Sequence, residues 1–147
     1  MSLIERIQEE LSTAMRERDA ERRDALRLIL SSLQSTQKEL QRELQDEEEL
    51  QVLQRERKRR TEAATAYRDA GATEKAEQEE AELAVIEEFM PEPLSEEELE
   101  TIIDDVIAEC GATSLRDLGR VMKDVVPQVA GRADGGQVSQ LVREKLA

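Results

Sequence analysis

A chain of 147 residues suffices for one ordinary domain or two small ones, and its net charge of −14 argues against general attraction to nucleic acid or anionic membrane. Tyr67 and Phe89 are the only aromatic residues, so any core is built from Leu, Ile, Val, Ala and Met, a palette that suits helices better than strands. Histidine is absent and Cys110 is the single cysteine, which removes the usual general base, the usual zinc ligand, any His-containing triad and any intrachain disulfide.

Ser2 and Glu5 have capping-box spacing, and Ile4, Ile7, Leu11 and Ala14 or Met15 follow at helical intervals, which predicts a first helix from Ser2. Arg16–Asp19 reads as a charged connection. A second helix is expected from about Ala20 to Leu44, with the stripe Leu26, Leu30, Leu33, Leu40 and Leu44 broadened by Leu28 and Ile29; Gln37 interrupts it. The acidic run Asp46–Glu49 fits a turn or the first turn of a third helix, where negative charge complements the macrodipole. That helix continues through Leu50, Leu53, Ala64 and Tyr67, and Gly71 suits its C-terminal left-handed position. Thr73 is the expected cap of a fourth helix ending in Leu83, Ile86, Phe89 and Met90. Long helices joined this tightly predict a bundle or helical hairpin over residues 1–90.

Pro91 and Pro93 stop the fourth helix, and residues 91–94 read as a short, stiff linker. The remainder, 95–147, is expected to be a small three-helix domain. Ser95 with Glu98 opens a helix carrying Leu99, Ile102, Ile103, Val106, Ile107 and Cys110, closed by Gly111. Ser114 with Asp117 opens the next, with Leu115, Leu118, Val121, Met122 and Val125, and Pro127 is expected to end it. Asp134 with Gln137 caps the last, which carries Val138, Leu141, Val142 and Leu146. The predicted class is therefore all-α. Both parts are acidic, with 24 acids against 15 bases through Pro93 and 11 against 6 beyond it. No apolar run of membrane-spanning length occurs and Met1–Arg6 lacks a secretory character, so a cytoplasmic location is expected.

Three features invite a functional reading. The run Arg55-Glu56-Arg57-Lys58-Arg59-Arg60 is the strongest basic cluster; Arg55 and Arg59 share a helical face, as do Arg23 and Arg27 in a smaller cluster with Arg22. These could meet phosphates together if the two helices lie antiparallel; the alternative is a solvated surface. The loop Ala130–Gly136 is the only glycine-dense segment, and its helix N-terminus could hold an anion unless Asp134 caps it. Arg132 within it suits a carboxylate or phosphate, with Arg120 and Lys123 as neighbours at i,i+3 spacing. The adjacent acid pairs Asp104-Asp105 and Glu79-Glu80 diverge on a helix, and Cys110 reads as a core residue, so no catalytic, cofactor or metal site is assigned.

Arg22–Ile29, Glu87–Leu99 and Gly131–Ser139, taken in order, resemble the early helix, the domain junction and the final loop and helix of the GatB/YqeY family, above all its free-standing YqeY-like members. The resemblance spans nearly the whole chain. It implies two helical domains, the second similar to the tail of the B subunit of the tRNA-dependent amidotransferase, which helps recognise tRNA while the enzyme amidates mischarged tRNA with glutamine as nitrogen donor. Free-standing members lack that subunit's large catalytic portion, as does this chain, so carbon–nitrogen ligase activity attaches only by association. Three functions are in view: a non-catalytic module engaging tRNA or a tRNA-amidation or translation protein, with Arg23, Arg27, Arg55, Arg59, Arg120, Lys123 and Arg132 as contacts; an acidic protein–protein adaptor; and an amidotransferase or ligase acting alone, which the missing histidine disfavours.

Overall fold

The computed structural model describes residues 1–147, and every regular element in it is helical. The chain divides into two compact units, Met1–Met90 and Pro91–Ala147.

In the first unit, α1 (Leu3–Arg16) and α2 (Ala20–Leu40) form one hairpin, and α3 (Asp46–Asp69) and α4 (Thr73–Glu88) form a second, the most extensive pairing of the unit. α2 packs against both helices of the second hairpin. Ile7, Leu26, Ile29, Leu33, Val52, Leu53 and Ile86 make the core, with Ala14 where α1 meets α2. Burying each of the large aliphatic side chains contributes roughly 1.5–3 kcal/mol relative to exposure.

The expected caps of this unit are partly realised. Ser2 and Glu5 exchange side-chain and backbone hydrogen bonds at 3.1 and 3.2 Å. Gly71 closes α3 in the left-handed region at φ +76°, with Gly71 N–H donating to the Arg68 carbonyl and Ala72 N–H to that of Tyr67, a Schellman closure. Asp46–Glu49 do form the first turn of α3.

Two expectations fail here. α2 ends at Leu40, not Leu44: Gln41 takes φ +56°, and Leu40 is exposed. The chain beyond is held by Arg42, whose guanidinium binds both oxygens of Glu48 at 2.7 and 2.8 Å across the start of α3. Thr73 is not the cap of α4 but its first residue; Ala72 holds the cap position without a side-chain hydrogen bond.

The second unit contains α5 (Glu96–Cys110), a 3-10 turn at Leu115–Asp117, α6 (Leu118–Val129) and α7 (Gly135–Leu146). Leu99, Ile103, Val106, Val121, Val125, Val129, Val138, Val142 and Leu146 form its core. Ser95 and Glu98 form the expected capping box, and Gly111 ends α5 at φ +67°. Ser114 and Asp117 open the 3-10 turn, not α6 itself. Pro127 does not end α6 but lies within it. The ring deprives the Lys123 carbonyl of an intrahelical donor, yet Val125 and Val129, one turn apart, are both buried and hold the last turn in place. Residues 91–94 are not a free linker: Leu94 packs against this core, and its N–H donates to the Arg132 carbonyl at 2.8 Å. No helix of the chain is long and apolar enough to cross a membrane.

Candidate nucleic-acid interface

The seven cations singled out in the sequence fall into three environments. Of the basic run on α3, Arg59 and Arg60 are engaged in ion pairs within the first unit. The run's one acid, Glu56, points inward and is 2% exposed. Val52, Leu53, Glu56, Arg60 and Ala64 lie on one ridge of α3, so the in-facing stripe carries a polar pair at its centre. Glu56 accepts from Ser32 Oγ of α2 at 2.8 Å, from Arg59 at 3.1 Å and from Arg60 at 3.3 Å. Arg60 also reaches Glu79 at 3.1 Å and Glu82 at 3.5 Å on α4.

Three helices are thus joined by one ionic network. Burial, reinforced by the adjacent Glu79, raises the Glu82 carboxyl above its ordinary range despite the opposing pull of Arg60. Arg60 Nε is buried without a partner. Arg59 is therefore tied to a buried carboxylate, whereas Arg55 makes only a long contact, 3.4 Å, to Thr36 Oγ1.

Arg23 and Arg27 do not join that run on a common surface. They line a cleft at the α1–α2 corner, together with Met15, Arg18, Asp19 and Ala20, and no residue of the α3 run contributes to its walls. Arg22, their neighbour, is instead drawn between Glu10 of α1 and Glu88 at the end of α4, at 3.1 and 2.7 Å.

In the second unit, Arg132 is hydrogen-bonded to the 91–94 segment. Its Nε donates to the Glu92 carbonyl at 2.9 Å, while its own carbonyl accepts from Leu94. The partner is a backbone carbonyl, neither the carboxylate nor the phosphate that its residue type suits. Asp134 caps α7 by accepting from Gln137 N–H at 3.2 Å, so the glycine-dense loop presents a capped helix. Arg120 pairs with Asp117 at 2.9 Å, and Lys123 makes no ion pair. The backbone N–H groups of Thr113 and Ser114, with Arg120 beyond them, hold the Asp117 carboxyl below the usual carboxylate range. Arg116, Arg120 and Lys123 all lie exposed along the 3-10 turn and α6. No group of three or more Cys, Asp or Glu side chains is placed to hold a metal ion.

Sequence reasoning missed two features. Arg18 lies in the charged connection Arg16–Asp19, and its residue type carries no signal for the left-handed conformation it adopts. The inward face of Glu56 and Arg60 was also missed, though Leu53 and Ala64, three turns apart, already place that ridge toward the core.

No curated protein matches this chain. A family model described as Yqey-like protein matches residues 4–146, both helical units included. The chain belongs to the YqeY-like family.

Proposed function

We propose that this chain is a non-catalytic module that engages tRNA, or a partner in tRNA amidation, through its second unit. The observation that carries the reading is the resemblance of Glu87–Leu99 and Gly131–Ser139 to the GatB/YqeY junction and final helix, which links the second unit to the amidotransferase tail. The exposed side chains of Arg116, Arg120 and Lys123 supply phosphate contacts within an otherwise acidic chain. Family association with glutamine-dependent carbon–nitrogen ligase chemistry belongs to the complex such a module would serve, not to a site on this chain.

Equilibrium titration of labelled tRNA at low and physiological salt tests it. Binding should weaken steeply with salt, and Lys123→Ala should reduce the slope of log K against log salt by about one. No binding at low salt refutes it.

A second reading, a protein–protein adaptor, is favoured by two exposed apolar side chains of the second unit, Leu115 on the 3-10 turn and Val126 on α6, 52% and 49% exposed. A partner lost on Leu115→Asp and Val126→Asp but retained after nuclease treatment would favour that reading over RNA.

A further inference from the structure

The cleft at the α1–α2 corner has a volume of about 200 Å³. Three arginines line it, Arg18, Arg23 and Arg27, against a single carboxylate, Asp19. That carboxylate is already engaged as the cap of α2, accepting from Arg22 N–H at 3.1 Å. Arg23 touches only the adjacent Asp24, outside the cleft, at 3.0 Å. The guanidinium groups of Arg18 and Arg27 have no hydrogen-bond or ion-pair partner among the protein's side chains and carbonyls, in a chain with 35 acids for 21 bases.

Arg18 occupies a left-handed position after a helix that glycine fills most easily. It follows the cap of α1 in a Schellman closure: Asp19 N–H donates to the Ala14 carbonyl at 2.9 Å and Arg18 N–H to that of Met15 at 3.2 Å. Its φ is +58°. The equivalent position after α3 is Gly71, the residue free of a Cβ penalty there. An arginine at this position strains the backbone, and its side chain makes no compensating contact in the protein.

We infer that this cleft is a binding site for a phosphate ester, with Arg18, Arg23 and Arg27 as its cationic walls. Counting Asp19 in the wall and Asp24 paired with Arg23, the three arginines keep a net charge of about +1, and the unpaired guanidinium forks of Arg18 and Arg27 suit bidentate contact with phosphate oxygens. The volume exceeds that of a bare phosphate ion, and Met15, 52% exposed, offers an apolar wall for the esterified group. The ester can be a small phosphorylated molecule or the backbone of a nucleic acid. The site stands on its own geometry and does not depend on the tRNA reading of the second unit.

The test uses the full chain with three probes: inorganic phosphate, adenosine 5′-monophosphate and tRNA, with chloride at equal ionic strength as the control. Amide NMR shifts over Met15–Arg27 report occupancy. Arg27→Ala should weaken binding about tenfold with little change in melting temperature. Arg18→Gly should weaken it similarly while raising the melting temperature by a few degrees, because it relieves the backbone.

The mononucleotide binding more tightly than inorganic phosphate identifies a small ester. A response to tRNA alone, weakened by Arg18→Gly and Arg27→Ala but not by Lys123→Ala, identifies a nucleic-acid backbone and separates this site from the second unit. An absence of shifts over Met15–Arg27 with all three probes overturns the site. So does binding that survives both substitutions, or an Arg18→Gly protein that melts lower, which would make Arg18 a brace.

Discussion

Arg60→Met should be among the most destabilising single changes in the first unit, and the structure gives its size. The substitution keeps the aliphatic stem and removes the guanidinium that serves Glu56, Glu79 and Glu82. Glu56 Oε2 loses its only partner at a side chain that is 2% exposed, while Oε1 retains Ser32 and Arg59. Glu79 and Glu82 are left side by side on α4. Removing one member of a buried pair costs about 3–5 kcal/mol, and the partners remaining at Oε1 place this case near the lower end.

Arg68→Met provides the contrast. Its bonds to Glu80 are shorter, 2.6 and 2.7 Å, but both side chains are more than 40% exposed, so the loss should be much smaller. Urea unfolding followed by circular dichroism at pH 7 measures both. Replacing both partners, Glu56→Met with Arg60→Met, should recover part of the loss, because no unpaired carboxylate is left on α3. An Arg60→Met protein no less stable than Arg68→Met would refute the view that burial, not bond length, sets the strength of this network.

Glu82→Gln should stabilise the first unit at pH 7. The folded carboxyl is raised, so its ionisation favours unfolding as pH climbs through the folded value, and the gain should vanish below about pH 4.5; urea midpoints across pH check this. Glu48 is held down to about 2 by Arg42 and by the Gln45 N–H. Its contribution is present above pH 4.5 and is lost as pH falls toward 2, so a carboxyl carbon shift that instead titrates near 4.5 would show the Arg42 clamp to be open in solution. Arg132→Ala removes a charged hydrogen bond that lies exposed to solvent, so it should destabilise the second unit by only about 1 kcal/mol, while leaving tRNA affinity unchanged. Paired melting and titration of one sample decide it, and weaker binding with unchanged melting would make Arg132 a contact.

The helices were legible wherever a local signal ended them. Ser2 with Glu5, Ser95 with Glu98 and Asp134 with Gln137 announce starts by chemistry confined to four residues, and Gly71 and Gly111 announce ends. Boundaries set by tertiary contact were not legible. α2 stops at Leu40, where Gln41 turns left-handed without being glycine, and Leu44 beyond it packs on the core outside the helix. α6 runs through Pro127 because Val129 is needed in the core.

The candidate site was legible by residue type but not by partner. The basic run on α3 is dense in sequence, yet where each guanidinium goes depends on Ser32, Glu79 and Glu82, remote residues that only packing brings near. Arg23 and Arg27 share a face as their spacing requires, but their neighbour across the cleft, Arg18, comes from the turn of the hairpin.

The scarcity of aromatic residues divides the chain optically. Tyr67 and Phe89 both lie in the first unit, and Lys75 sits 5.7 Å from the Tyr67 ring where α3 turns into α4. The second unit holds no aromatic side chain, but it owns the only thiol, Cys110, half-buried with its Sγ 3.8 Å from the Ile107 carbonyl. Tyrosine emission therefore reports the first unit alone, and the labelling rate of Cys110 reports the second. One unmodified chain carries two independent gauges, so whether its halves melt together or in turn can be read without introducing a probe.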